Sequence, residues 1–355
     1  MTPTGSQTRI NLFLTERSLT GSAGASRGHG GTGSICQLRL PAVGLEGQNG
    51  RTGGGSGVQI AFHLGAHATD DGAILKVLHQ NRAMLADQAI AVPGPEAYPD
   101  LLRMAARGFA GQPAPGAEDR DALLNRLSAP PAQAPAAERL VFSFESFLGF
   151  AQDAADPAGF YPMAEARARV LGDLFAGHQL ELFFCLRNPV TLLPALDQRR
   201  RAKGGTPLTL SPEEVPSWTE FAAALRRALP AARLTFWCDE DAPVVWHRIL
   251  RAVAGFDEAS ELQGALDYPA ALLAAEPEAL RDLRVWFETR RPASDLERAK
   301  ALRSHLAQLA SLPAVSAGLE GWSAGDIARL TALYDEDCAR IARMPGVSFI
   351  LPPVA

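Results

Sequence analysis

Polar and charged side chains follow the ends of four short apolar segments, and their types are those that bind anions and move protons. The residues that follow these segments in turn are His67 with Thr69, Glu145, Arg187 and Asp239. A guanidinium clamps anionic oxygens, and an imidazole or a carboxylate accepts a proton from a nucleophile. The residue types therefore favour a site that binds an anionic group and carries out acid–base chemistry.

The first segment, residues 58–64, reads as a buried strand because it is almost continuously apolar. Gly65 ends it, and a loop of small and polar residues comes next. Apolar residues then recur at helical spacing, which predicts a helix, and Asp70 or Asp71 is predicted to cap its N-terminus. A strand, a glycine loop and a helix N-terminus together present backbone N–H groups to an anion.

Further strands are predicted where apolar runs alternate with helical patterns, at Ala89–Pro93, Arg139–Ser143, Gln179–Leu186 and Arg233–Trp237. Beyond Phe256 the pattern predicts only helices and then a short apolar run. The sequence therefore predicts an α/β fold, a doubly wound and mostly parallel sheet with a helical C-terminal addition. Ligands of such sheets bind beyond the carboxyl ends of the strands, so the residues named first are expected in one crevice.

Composition bounds the rest of the interpretation. Residues 1–57 hold 14 of the 32 glycines, which predicts a disordered tail or a mis-assigned start, with a single domain over residues 58–355. A net charge of −5 argues against nucleic acid or an anionic membrane as the main partner. No apolar run approaches the ~20 residues of a membrane span, and the 4 cysteines have no metal-binding spacing. Buried, reduced thiols and a cytoplasmic location are the expectation.

Four patches of the chain resemble bacterial sulfotransferase-family proteins, in the same order. Phe62-His-Leu-Gly-Ala-His67, with Asn81-Arg82 and Ile90-Ala-Val-Pro93 after it, is similar to the opening of that family. The other patches are similar to its Ser-x-Glu strand end, its Leu-Arg…Gln segment and its later strand with acidic residues; they are Leu140–Glu145, Phe184–Gln198 and Phe236–Asp241. The resemblance implies a sheet of the P-loop type.

The resemblance also implies an activity, transfer of a sulfuryl group from 3′-phosphoadenosine 5′-phosphosulfate (PAPS) to a hydroxyl of a small-molecule or carbohydrate acceptor. Matched residue by residue, it implies that Gly65, Thr69, Arg187 and Gln198 bind the cofactor. Glu145 and His67 are the implied bases for the acceptor proton, and no metal is expected.

Several positions depart from the family pattern. The loop lysine is Ala68 here, Gly-Thr-Thr is replaced by Asp70-Asp71-Gly72, and the 3′-phosphate serine falls on Ala195. A carboxylate ~4 Å from a phosphate adds up to about 4 kcal/mol of repulsion at an effective dielectric of 20. The alternative is therefore a non-catalytic member of the fold that acts as a binding protein. A third reading, a metal-dependent hydrolase-like enzyme, would use Asp70, Asp71, Glu145 and His67 with Asp239 or Asp241 as ligands.

Structural interpretations stand beside the functional ones. Asp70 and Asp71 are expected as helix caps, and Glu145 could pair with Arg187. His63 is predicted to be a core histidine, and Asp239–Asp241 a solvated turn. Residues predicted in the same way are Trp218, Trp237 and Trp246 for the core, and Glu336, Asp337 and Arg340 for a solvated helix face.

Overall fold

Six parallel strands form the central sheet in the computed structural model, which describes residues 57–128, 134–257, 260–306 and 319–353. A separate hairpin, β4 (Ala155–Asp156) with β5 (Gly159–Phe160), is antiparallel. The strands of the sheet are β1 (Gln59–His63), β2 (Ile90–Ala91), β3 (Arg139–Ser143), β6 (Gln179–Leu186), β7 (Arg233–Cys238) and β8 (Val347–Phe349). Their order is β2-β3-β1-β6-β7-β8, and every neighbouring pair is parallel.

Helices cover both faces of this sheet. On one face they share a core of aliphatic residues with Trp237 and Trp246; these helices are α1 (Ala73–Gln80), α2 (Arg82–Asp87), α8 (Ala242–Ala254) and the short α9 (Asp267–Leu272). The larger core on the other face is rich in phenylalanine; its helices are α3 (Tyr98–Phe109), α4 (Ala117–Leu127), α5 (Ala164–Leu174), α6 (Pro189–Ala202), α7 (Trp218–Ala228) and α12 (Ala324–Ile341).

A third, smaller core lies beside α8 and explains the helical run after Phe256. Val244 of α8 packs there against leucines of the following helices. Those helices are α10 (Pro277–Arg290) and α11 (Asp295–Leu306). Asp295 fastens α11 to α8, because its carboxylate lies 2.5 Å from a guanidinium nitrogen of Arg251.

The apolar strand segments are buried because both faces of the sheet are covered. All five residues of β3 are buried, as are Leu182 to Leu186 of β6. A strand covered on both faces has no polar side to show, which is why the sequence pattern is continuous and not alternating. The predicted α/β class and doubly wound parallel sheet agree with the structure, and the bounds predicted for β3 and β6 are those observed.

Three features differ from the sequence prediction. The C-terminal part is not wholly helical, because β8 returns to the sheet and pairs with β7. The hairpin β4–β5 was not predicted, since strands of two residues have no measurable periodicity. The first predicted helix is two helices that break at Asn81, whose side-chain amide donates to Val77 O at 2.7 Å and Gln263 O at 2.9 Å.

Two further expectations concern the N-terminal segment and a membrane span. The predicted disordered tail, residues 1–57, lies outside the described residues except for Gly57. Among the described residues, no helix combines the length and the apolar character that crossing a bilayer requires.

Candidate functional site

The connections of the sheet change direction at the carboxyl ends of β1 and β6, and we call the group of residues at these strand ends the crevice. From β1 the chain moves toward the β2 edge, whereas from β3 it crosses to β6 on the other side of β1. Such a change of direction parts the loops that come after two neighbouring strands, and ligands of open parallel sheets bind there. The loop after β1, residues 64–72, enters this crevice.

Backbone contacts fix the path of the 64–72 loop. Leu64 N donates to Phe183 O at 2.9 Å and Ala66 N to Cys185 O at 3.2 Å, so the loop continues along β6 beyond the last strand pair. Gly65 has φ +45°, and a Cβ there would lie 3.2 Å from Nε2 of His63. A side chain at this position would meet both backbone strain and a buried ring.

Thr69 serves the loop itself. Its hydroxyl donates to Ala66 O at 2.7 Å, and the side chain is buried. The hydroxyl is therefore used to hold the turn. To bind a cofactor oxygen, as predicted, the hydroxyl would have to give up its hydrogen bond to Ala66 O.

Arg187 lies at the centre of the crevice with its side chain 11% exposed. Nη1 donates to Ala68 O in the loop, and Nε donates to Thr191 Oγ1 at 3.1 Å. Nε also lies 3.6 Å from Oδ2 of Asp239, so the pairing of Arg187 is with Asp239 and not with Glu145. The backbone carbonyl of Arg187 accepts from the indole N–H of Trp218 at 2.9 Å, which fixes the backbone from below.

Asp239 is buried, which overturns the prediction of a solvated turn at 239–241. Burial raises the pKa of its carboxyl to about 7; Arg187 opposes this shift, and the charges of Glu240 and Asp70 add to it. The thiol of Cys185 lies 3.8 Å from Oδ1. A buried carboxyl whose pKa is this far raised, beside a buried arginine in a crevice, has the character of a functional group.

His67 is enclosed by the hairpin and the β3 loop. Its backbone N–H donates to Tyr161 Oη at 2.9 Å, its Nδ1 lies 2.9 Å from the same oxygen, and its Nε2 lies 3.4 Å from Ser146 Oγ. Burial lowers the pKa of His67 to about 4, and the charges of Arg199 and Lys203 lower it further. The imidazole is therefore neutral at pH 7, and with so low a pKa it is a weak base.

Glu145 and Asp71 are joined by an arginine that the sequence interpretation did not include. Arg199 of α6 lies 3.3 Å from Oε1 of Glu145, and its other terminal nitrogen contacts the carboxylate of Asp71. Burial raises the pKa of Glu145, Arg199 opposes the shift, and Asp70 and Asp71 add to it. The carboxylate predicted as a base is therefore held in an ion pair across the mouth of the crevice.

Asp70 occupies the N-terminus of α1. Its Oδ2 accepts from the backbone N–H of Ile74 at 3.0 Å, and its carbonyl accepts from Ala73 N at 2.9 Å. The carboxylate of Asp70 thus accepts from a backbone N–H of the first turn, as predicted, although the N-cap residue is Gly72; Asp71 pairs with Arg199 instead. A carboxylate is already bound where the helix dipole would attract an anion.

Of the predicted site residues, Gln198 is the exposed one. Its side chain is exposed on α6, and no hydrogen bond of it is found within the described residues. The structure brings together Gly65, His67, Thr69 and Arg187, with Glu145 at the rim.

Sequence reasoning missed two residues of the crevice, Tyr161 and Arg199, and it placed Asp239 there without predicting its burial. Tyr161 comes after an unpredicted hairpin and has φ +49°, so nothing in its sequence context pointed to the crevice. Arg199 stands in a run of three arginines that looks like a solvated helix end. A signal for it existed in hindsight, because it is the neighbour of Gln198, which the family resemblance had already placed near the crevice.

The crevice is acidic on balance. Five carboxyl groups face three cationic groups, Arg187, Arg199 and Lys203; the carboxyl groups are those of Asp70, Asp71, Glu145, Asp239 and Glu240. Glu240 is held by Asn188 N at 2.8 Å and by the hydroxyl of Tyr334 at 2.8 Å. Within the described ranges, no three histidine, cysteine, aspartate or glutamate side chains lie where they could hold a metal ion, so the metal-site reading gains no support.

Of the remaining structural interpretations, those for His63 and the tryptophans are confirmed, and the one for Asp337 is wrong. His63 is a core histidine, stacked on Trp237, with Nδ1 2.8 Å from Ser143 Oγ. The three tryptophans predicted for the core are buried. Asp337 is not solvated, because it caps α7 by accepting from Trp218 N at 2.7 Å and Thr219 Oγ1 at 2.6 Å.

Comparison with known proteins adds no relative. No family model matches the chain, and no curated protein matches it. The function of the chain therefore has to be inferred from the geometry of the crevice.

Proposed function

We propose that this chain is a divergent sulfotransferase-like protein with a P-loop-related sheet, and that its crevice binds a ligand without transferring a sulfuryl group from PAPS. The four family-like patches, read in chain order, fall on strand ends β1, β3, β6 and β7, which supports the likeness. The resemblance to sulfotransferases supports this fold. The contacts of the crevice argue against binding of PAPS and transfer of its sulfuryl group.

The observation that carries the proposal is that the protein's own carboxylates fill the places an anionic donor needs. Asp70 bonds the free backbone N–H of Ile74, and Asp71 pairs with Arg199. A phosphosulfate would have to displace both carboxylates and then lie beside them. At ~4 Å and an effective dielectric of 20, each contributes up to about 4 kcal/mol of repulsion.

The guanidinium of Arg187 is likewise already bound by groups of the protein. Its guanidinium donates to Ala68 O and Thr191 Oγ1 and lies beside Asp239. Binding a 3′-phosphate would break these contacts, and a hydrogen bond to a charged group is worth about 1.5–3 kcal/mol. Because carboxyl groups outnumber cationic groups here, the ligand that this crevice accepts is a neutral or cationic one, such as a carbohydrate or an amine, and not a polyanionic nucleotide.

Calorimetric titration with adenosine 3′,5′-bisphosphate tests the proposal. The wild type is expected to show no binding at millimolar ligand. The double variant Asp70→Asn, Asp71→Asn keeps the capping geometry, since asparagine caps as well as aspartate, but removes both charges. It is expected to bind at least tenfold more tightly than the wild type.

The matched control is Asp121→Asn, an exposed aspartate of α4 that has no contact with the crevice. It should leave the titration unchanged. Micromolar binding to the wild type, lost in Arg187→Ala, would contradict the proposal and restore a working donor site.

A second candidate, sulfuryl transfer itself, is favoured by one observation. Glu145, with its raised pKa, lies beside Ser146 in the loop after β3, and the hydroxyl of Ser146 lies 3.4 Å from Nε2 of His67, so a carboxyl and an imidazole are near one hydroxyl. The direct test is formation of adenosine 3′,5′-bisphosphate from PAPS in the presence of hydroxyl acceptors. Turnover that Glu145→Gln abolishes would establish transfer; no turnover across neutral pH would leave the binding role as the function.

A further inference from the structure

Two cysteines from distant parts of the chain lie in contact directly below the crevice. Cys238 is the last residue of β7, and Cys338 lies in α12; their sulfur atoms are 3.5 Å apart. Both are buried, and neither is in a disulfide in this structure. This contact joins two residues that are 100 positions apart in sequence. A disulfide stabilises a fold more when it closes a longer loop, because it removes more conformational entropy from the unfolded chain.

The surroundings of this pair connect it to the crevice. Cys238 immediately precedes Asp239 and Glu240 in the chain. One turn before Cys338, Tyr334 donates to Leu186 O at 3.3 Å and to Glu240 Oε2 at 2.8 Å. α12 is thus already fixed to the strand ends by hydrogen bonds at the level of the two thiols.

Asp337, next to Cys338, extends the same connection to Arg187. Its carboxylate caps α7 through Trp218 N, and the indole of Trp218 donates to Arg187 O. A bond between Cys238 and Cys338 would therefore hold α12, the α7 N-terminus and the backbone below Arg187 as one unit.

We infer that Cys238 and Cys338 form a reversible disulfide, which makes this pair a redox-sensitive modification site beneath the crevice. With hydrogen peroxide as oxidant, one thiolate is oxidised to a sulfenic acid with loss of water or hydroxide. The second thiol then attacks that sulfur, an S–S bond forms, and water leaves. The sum is two thiols and one peroxide giving one disulfide and two waters. A dithiol reductant reverses it by thiol–disulfide exchange.

Cys185 supplies the internal comparison. It is also buried, but its sulfur contacts Asp239 Oδ1 and Leu186 O. Burial raises the pKa of its thiol, and the charges of Asp239 and Glu240 raise it further. Because the described contacts of its sulfur are to oxygen atoms and not to a second sulfur, Cys185 should stay out of a disulfide under conditions that link the other two.

Peptide mapping of the full chain tests the inference. The protein is treated with hydrogen peroxide, alkylated in denaturant without reductant, and cleaved at arginine. Peptides 234–248 and 330–340 each hold one of the two cysteines. They are expected as one cross-linked species, two hydrogen masses lighter than their sum, which dithiothreitol separates.

Thermal unfolding gives an independent readout. The disulfide closes a loop of about 100 residues, so oxidation is expected to raise the Tm by roughly 5 °C or more, reversibly. Cys185→Ala should keep this rise, whereas Cys338→Ala should lose it. Recovery of both cysteines as alkylated thiols, to the extent seen for Cys185, would overturn the inference. A link from either of them to Cys36 would overturn it as well.

Discussion

The two edges of the sheet each hold a buried arginine–carboxylate pair, and the pairs differ in how well they are satisfied. At the edge where the strands begin, Arg139 lies 2.7 Å from Glu181 and donates also to Gln59 Oε1 at 3.0 Å and Val253 O at 3.0 Å. At the edge where they end, Arg187 lies 3.6 Å from Asp239, and the pKa of that carboxyl is raised to about 7.

The difference indicates which edge is structural and which is functional. A buried ion pair repays its desolvation only with close geometry and further hydrogen bonds. The terminal nitrogens of Arg139 meet that condition, although its Nε has no hydrogen-bond partner within the described residues. Arg187 and Asp239 meet it poorly, because their separation is 3.6 Å and the pKa of Asp239 stays raised, so Asp239 retains interaction energy that a proton can use. The pair at the strand beginnings therefore stabilises the sheet, whereas the pair at the strand ends leaves the crevice reactive.

Breaking the pair at the strand beginnings should have the largest effect. Glu181→Gln leaves the buried guanidinium of Arg139 without its counter-charge, and this is expected to cost about 3–5 kcal/mol of unfolding free energy. Urea unfolding at pH 7 measures it. A loss below about 1 kcal/mol would show that the two edges do not differ in this way.

Asp239→Asn should act in the opposite direction and depend on pH. The folded-state pKa is raised to about 7 from an ordinary 3.8, so Asp239 contributes its stability below pH 3.8 and loses it as the pH rises to 7. The uncharged amide avoids that loss. We expect the variant to gain on the order of 2 kcal/mol at pH 8 and almost nothing at pH 4.

Unfolding curves for the variant and the wild type at pH 4, 6 and 8 check this sign. An equal difference at all three values would contradict a titrating Asp239. A lower stability of the variant at pH 8 would place it in the same structural class as Glu181.

Trp218→Phe tests the support beneath Arg187 and should have a smaller effect. It removes the indole donor to Arg187 O but keeps an aromatic ring for the stack on Phe160. A buried carbonyl left without its donor is expected to cost about 1–2 kcal/mol. Trp246→Phe is the matched control, because the buried indole N–H of Trp246 has no hydrogen-bond partner within the described residues. Equal losses in both variants would assign the effect to ring volume.

Arg233→Ala should have the smallest effect. Arg233 also contacts Glu181, at 3.2 Å, but its side chain is 71% exposed. An exposed ion pair contributes about 0–1 kcal/mol, so we expect a loss under about 0.5 kcal/mol by urea unfolding. A larger loss would transfer to Arg233 the role that we assign to Arg139.

The agreement between sequence and structure depends on the range of the interactions involved. The bounds of β3 and β6 were predicted because a strand covered on both faces must be apolar throughout. The hairpin β4–β5 and the return of β8 to the sheet were not, since their strands span two or three residues and depend on partners far away. Asn81 looked like part of one helix because its partner, Gln263, lies far along the chain.

The residues of the crevice also include features that the sequence predicts and features that it does not. That His67, Glu145 and Arg187 would meet at strand ends could be deduced from the sequence, because parallel strands bring their carboxyl ends to one edge. Which groups pair there could not. The sequence allowed a pair between Glu145 and Arg187 as one alternative, but Arg199 pairs with Glu145, and Asp239 pairs with Arg187.

What the sequence determined by itself is the alternation of strands and helices and the gathering of polar residues at one edge, since both depend on local periodicity and chain direction. Only the tertiary structure decided the charge partners and the burial of Asp239 and Asp337. Hydrogen bonds and ion pairs depend on distances of a few ångströms between residues far apart in the chain, and no local pattern encodes those distances.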